Sequence, residues 1–226
     1  FASKEAVEAL ELIQDLRWQH DVLQAMLLST FSELEGRFAS AQIGMMFAAQ
    51  DRISNLVNQY GMKLEDIGVA LLPAGPAGRA NQMGGNYYIL NPKSSVEVQE
   101  AAFKWISWKI LGSMDPQRMQ ERGEDLRKQG QISTLTALPI FEGEIDSKAR
   151  EAATPYKDVL VDFPDVWREA AKYMRPEPPF YCQQLYSEYL APAIQAVLTK
   201  RDADPKALLT QAARGFQERF LDKVAQ

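Results

Sequence analysis

The 226-residue chain carries 46% hydrophobic and 24% charged residues at a mean hydropathy of −0.30, a globular balance that excludes disordered and collagen-like classes. Its 25 Lys and Arg against 30 Asp and Glu leave a net charge of −5 with no block of either sign, so nucleic acid is not an expected partner. No apolar run approaches the roughly 20 residues of a membrane-spanning helix, and one cysteine (Cys182) with one histidine (His20) argues against a disulfide scaffold, a zinc centre and histidine-based catalysis.

From Ser3 onward, Ala6, Val7, Leu10, Ile13 and Leu16 recur at helical spacing behind a capping serine, which predicts an amphipathic helix ending near His20 and Asp21. Shorter helices are expected over 21–28 and 34–41. The apolar run 43–49 is too short for a helix and reads as a buried strand over 43–47. Asp51 then caps a helix over 52–60, stopped by Gly61. Two further strands are expected over 66–72, ahead of Pro73, and 86–90, behind Gly84-Gly85. Between them, Gly75-Pro76-Ala77-Gly78 reads as a turn, since it lacks the Lys or Ser/Thr of a phosphate loop.

Beyond Asn91-Pro92, one helical face gathers Val98, Ala101, Ala102, Trp105, Ile106 and Ile110, which assigns Trp105 to the core. Asp115-Pro116 opens a polar helix to about Gln129. The stretch 131–156 reads as irregular, Pro164 starts a helix running to 174, and the three prolines of 175–179 form a rigid elbow. A long helix over 182–200 should kink or break at Pro192, and Asp204-Pro205 restarts a helix carrying Phe216 to the end. Ala6, Val7, Leu10, Phe38, Phe103, Trp105 and Phe216 are the expected buried positions.

Phosphate-loop, nucleophile-elbow, paired-histidine and calcium-loop spacings are absent. Glu142, Glu144 and Asp146 raise the question of a glycosidase pair, but such carboxylates must face one cleft at ~5 to 9 Å, and the run reads as a solvated loop. No catalytic residue, metal ligand or cofactor is assigned.

The order of segments is more informative than any one motif. Phe38-Ala39-Ser40-Ala41-Gln42-Ile43-Gly44-Met45 is followed by a capped helix, then by Asp66-Ile67-Gly68-Val69-Ala70-Leu71-Leu72-Pro73. Next come Gly84-Gly85-Asn86-Tyr87-Tyr88-Ile89, Glu100-Ala101-Ala102-Phe103-Lys104-Trp105-Ile106 and, near the end, Asp204-Pro205-Lys206-Ala207-Leu208-Leu209. This succession resembles the C-terminal half of extracellular solute-binding proteins of ABC importers, in the sugar-binding group that includes maltose-binding proteins. It departs at Ala41, where the family usually has Gly, and at Gln50-Asp51, where maltose binders carry Trp.

The resemblance implies a helix-rich α/β chain, the C-terminal portion of a periplasmic-binding-protein-like type II fold. It divides the chain into a first part of the C-terminal lobe (1–73), a segment crossing toward the other lobe (74–135) and a return to the C-terminal lobe (136–226). The start at Phe1, with no initiator Met, signal peptide or lipidation motif, reads as a piece of a longer polypeptide. The implied role is noncatalytic: a carbohydrate, as an oligosaccharide, is held between lobes and delivered to the membrane subunits of an ABC permease. The implied place is extracellular, cell-surface-attached or periplasmic, with membrane contact only through an upstream lipid anchor.

Sugar sites need apolar planar faces and polar groups for every hydroxyl. The expected ligand residues are Gln50 and Asp51 past the first strand, Gly84 and Gly85 for close backbone approach, and Asn86 beside them. Tyr181 and Gln184 follow the proline elbow. For Asp51 a helix cap, and for the glycines a turn at positive φ, are the alternatives. The competing class is a noncatalytic helical protein-interaction domain without a small-molecule site.

Overall fold

The computed structural model describes residues 1–24, 26–84, 88–135, 143–178 and 180–224. Helices dominate and strands are few and short, so the chain is α/β with mostly helical content. It divides into two compact units, one made of Phe1–Glu33 with Pro176–Gln226 and the other of Leu34–Arg175. Among the described residues no helix is long and apolar enough to cross a membrane.

In the first unit, helix α1 (Lys4–Trp18) is capped by Ser3 and buries Leu10. Leu10 packs on Ala193 and Val197 of helix α9 (Ala191–Thr199) and on Leu209 of helix α10 (Pro205–Phe216), with Ala6, Val7 and Ile13 half-buried around them. Side chains of α1 also tie down backbone that no helix satisfies. The Trp18 indole donates to the Val197 carbonyl at 2.8 Å, and Gln14 Nε2 donates to the carbonyls of Arg201 and Ala203 at 3.0 Å each. Asp204 caps α10 through the Ala207 N–H at 3.0 Å, and Phe216 is buried as expected. Residues 21–24 and 26–28 are not helical: α1 has already ended at Trp18, and Asp21, three residues further on, sits in the left-handed conformation at φ 49.

The break expected at Pro192 takes a particular form. A single turn, Cys182–Gln184, leads into a π-helical stretch, Leu185–Leu190, before α9. Proline lacks an N–H and its ring crowds the carbonyl four residues back; ahead of it the turn is widened, with the Ala191 N–H donating to the Tyr186 carbonyl.

The second unit is built around a two-residue parallel ladder, β2 (Ser133–Thr134) with β3 (Leu160–Val161). Successive strand residues point to opposite faces, and both residues of β3 are buried. Leu160 joins Met119 of helix α5 (Pro116–Gln129) and Ala149, Ala152 and Ala153 of helix α6 (Glu144–Ala153). Val161 joins Ile53 and Leu56 of helix α3 (Arg52–Asn58), with Trp167 of helix α7 (Pro164–Ala171) and Phe38 of helix α2 (Phe31–Ala39) against them. Helices thus cover both faces of the ladder, the arrangement that lets parallel strands avoid water. The small residues of α6 admit α5 closely. At Gly123 of α5 an added Cβ would lie 2.3 Å from Tyr156 Cγ, so only glycine leaves room for that ring. Strands β1 (Asn81–Met83) and β4 (Met174–Pro176) form a second two-stranded pair, joined near the Asn81 N–H to Tyr173 carbonyl bond at 2.9 Å. The Gly75–Gly78 turn is present as a small antiparallel bridge.

Several expectations are corrected here. Residues 43–47 and 67–72 belong to no strand, Asp66 closes a short 3-10 turn over Leu64–Asp66, and 88–90 are likewise unpaired; 86 and 87 lie outside the described residues. Met45 and Phe47 are exposed. Apolar runs signal burial, but a strand exists only where another offers its backbone, and the described residues offer these segments none. The irregular stretch 131–156 contains α6. Helix α4 (Val96–Gly112), capped by Ser95, buries none of its residues, and Phe103 and Trp105 are 62% and 52% exposed. Its apolar residues encircle the helix, so the periodicity that assigned Trp105 to the core does not single out one face. Phe38 is half-buried.

Candidate functional site

Gln50 and Asp51 stand at the N-terminal end of α3, and the side chains of that helix fix where this end lies. Asn58 exchanges two hydrogen bonds with the backbone of Ile132, at 2.8 and 2.9 Å, and Ser54 Oγ accepts the Thr134 N–H at 3.0 Å. Four helical residues rise about 6 Å and two strand residues about 6.6 Å, so α3 runs antiparallel to β2 with matched steps. Its N-terminus therefore lies toward the carboxyl end of the ladder. Asp162, which follows β3, sits at that same end. In open α/β sheets the carboxyl ends of the strands are where ligands gather.

Asp51 does not cap α3 through its side chain. The Arg52 and Ile53 N–H groups already donate to the carbonyls of Ala49 and Gln50, at 3.1 and 3.2 Å, so the turn begins ahead of Asp51. With φ −61 and ψ −22 it lies inside that turn, without the extended geometry of a capping residue. Its carboxylate instead meets Arg52 Nη2 at 2.9 Å; Arg52 also approaches the buried Glu35 at 3.7 Å. Gln50 is half-buried, and its Oε1 is a buried acceptor with no hydrogen-bond partner among the described residues.

Sequence reasoning missed an ionic group at this end of the ladder. Arg150 of α6 holds Asp162 at 2.7 Å and Asp146 at 2.9 Å, with all three side chains largely shielded. The signal was present, since Val159-Leu160-Val161 is a short buried run ending in Asp. The acidic run is correspondingly reassigned: Glu144 and Asp146 belong to the first turn of α6, paired with Lys148 and Arg150, and Glu142 lies outside the described residues. The first-turn carboxylates suit the positive end of that helix.

Gly84 follows β1 in the same unit, exposed, and is not among the glycines at positive φ. Gly85 and Asn86 lie outside the described residues. Tyr181 and Gln184 belong to the other unit. Tyr181 takes the left-handed conformation at φ 51, with its ring 5.0 Å from that of Phe220, and Gln184 is half-buried. The structure thus places Gln50, Asp51 and Asp162 toward the same end of the ladder. Among the described residues no group of three His, Cys, Asp or Glu side chains is placed to hold a metal.

No protein-family model and no curated protein matches the chain.

Proposed function

We propose that this chain is the C-terminal part of the substrate-binding component of an ABC importer, with a periplasmic-binding-protein-like type II fold, that takes up a carbohydrate outside the cell membrane and passes it to a permease. The observation that carries the reading is Gln50, a half-buried amide whose Oε1 lacks a donor, at the carboxyl end of a parallel ladder. Buried acceptors left open are rare in native proteins, and a sugar hydroxyl donates to such an oxygen directly. Asp51 beside it supplies a charged acceptor. The order of segments from Phe38 to Trp105 adds the likeness to sugar-binding importers.

A second reading is a helical protein-interaction domain, favoured by the uncovered Phe103, Trp105 and Trp108 of α4. Calorimetry separates the two on the full-length natural polypeptide that carries this chain. The importer reading expects saturable binding of one member of an oligosaccharide panel, weakened about tenfold by Gln50→Ala, which is ~1.4 kcal/mol and within the range of one hydrogen bond to a neutral group. Folded protein that binds no member of the panel would refute it.

A further inference from the structure

Among the described residues Glu35 is the one charged residue that is buried, at 3% exposure, and the function proposed above gives it no part. Its depth follows from the way α2 is set. Thr30 and Glu33 close a capping box at the start of that helix: the Glu33 N–H donates to Thr30 Oγ1 at 3.3 Å, and the Thr30 N–H donates to Glu33 Oε2 at 2.6 Å. Glu35 then precedes Phe38 and Ala39 by three and four residues. Both of these pack against the core of Ile53, Leu56 and Val161, so Glu35 shares their inward face.

On that face Glu35 meets α3. Its Oε1 accepts from Asn55 Nδ2 at 3.5 Å and lies 3.7 Å from Arg52 Nη1. A carboxylate withdrawn from water needs a cation beside it, and turning the cation away would leave the charge uncompensated, so one end of the Arg52 guanidinium is tied inward. The other end faces out: Nη2 meets Asp51 Oδ2 at 2.9 Å, and Asp51 is 60% exposed.

Exposed ion pairs are ordinarily weak, because two side chains lose their freedom for one contact. Here the planar guanidinium has two Nη groups in set directions, and with Nη1 committed to Glu35 the direction of Nη2 is fixed for Asp51. Apolar substitutes for a buried ion pair are commonly as stable, so the charge at residue 35 is better explained by what it orients than by stability.

We propose that Glu35 is a positioning residue: through Arg52 it fixes the direction of the Asp51 carboxylate, the charged acceptor of the candidate site. The contacts are independent of any ligand, whereas their use in binding rests on the importer reading.

Two measurements test the proposal separately. The first is NMR on the 226-residue chain without ligand. The Hα–Hβ couplings of Asp51 report its χ1 angle and are expected to fit a single staggered rotamer in the native chain. They should become averaged in Glu35→Gln, which keeps the side-chain volume, and in Arg52→Lys, whose compact ammonium cannot serve both carboxylates. Arg52 is partly exposed, so its variant reports on the link even where Glu35→Gln fails to fold. Averaged couplings in the native chain, or single-rotamer couplings retained in a folded variant, would overturn the proposal. The second is calorimetry on the full-length natural polypeptide with maltose, cellobiose, xylobiose and raffinose as probes. Glu35→Gln should weaken binding about fivefold, and that loss should vanish where Asp51→Asn is already present. An equal loss in both backgrounds is what a merely structural role for Glu35 produces, and it too would overturn the proposal. Failure of every probe to bind counts against the importer reading, while the Asp51 couplings still decide whether Glu35 fixes that carboxylate.

Discussion

Replacing Gly123 by alanine reverses the usual expectation for a helical glycine. In the middle of an exposed helix the change stabilises by about 1 kcal/mol, because alanine has less backbone freedom to lose. Here the new methyl would stand 2.3 Å from Tyr156 Cγ, 2.5 Å from Cδ1 and 2.8 Å from Cβ. Carbon atoms in contact sit about 3.5 Å apart, so the ring must retreat by roughly 1 Å. Its Cβ is anchored to the backbone next to α6, and the retreat strips contacts with Ala149 and Ala153 and the stack of Arg127 over the ring at 4.6 Å. Overpacking of this kind costs ~1 to 3 kcal/mol and occasionally more, which offsets the helical gain and leaves a net loss of up to about 2 kcal/mol. At ~2 to 4 °C per kcal/mol for a chain of this length, Gly123→Ala lowers the melting midpoint by up to about 8 °C by far-ultraviolet circular dichroism. A second substitution tests the cause. Tyr156→Ala should cost less when combined with Gly123→Ala than in the native chain, with a coupling of ~1 kcal/mol or more. A midpoint that rises with Gly123→Ala, or strictly additive variants, would show that Tyr156 does not lie across α5.

Leu10 is 4% exposed at the centre of the first unit's core, and Leu10→Ala should cost ~2 to 5 kcal/mol, read as a lowered urea midpoint; an unchanged midpoint would contradict the α1 face. Asp158 accepts a forked pair from Arg127, at 2.8 and 2.5 Å, and that hydrogen bonding holds its carboxyl below the ordinary carboxylate range. Because the folded value is depressed, the pair's small contribution is present above the unfolded value and lost as pH falls through the folded one. A carboxyl-carbon NMR titration should find the Asp158 midpoint low and return it to the ordinary range in Arg127→Gln.

Legibility in the sequence followed the range of the interactions. Helix α5 emerges at the expected bounds because its signals are local: Asp115 caps it, Pro116 occupies its first position, and Gly130 ends it at φ 64. Strands depend on partners remote in sequence, which is why 43–47 and 66–72 carry the composition of strands without the pairing, while the buried ladder hides in two-residue pieces at 133–134 and 160–161. Asp51 shows the same limit at atomic scale. Its residue type announces a cap, but the turn starting at Ala49 decides its dihedral angles. At the candidate site, Gln50 and Asp51 were readable from their place after an apolar run. Asp162 carried the same signal after Val159-Leu160-Val161, but its pairing with Arg150 was not readable, since the two meet through the packing of α6 beside β3.

The first unit joins the two ends of the described chain around the stretch Leu34–Arg175, and this sets a timetable for its folding. Leu10 closes its core against Val197, 187 positions further along the sequence. At ~5 to 20 residues per second of synthesis, α1 waits about 10 to 40 s after leaving the ribosome before α9 exists to cover it. During that interval the apolar stripe of Ala6, Val7, Leu10 and Ile13 faces water or a chaperone, whereas the second unit, continuous in sequence, has every element it needs once residue 175 has emerged. The order of assembly is therefore written into the connectivity: the middle segment folds as a unit first, and α1 docks last.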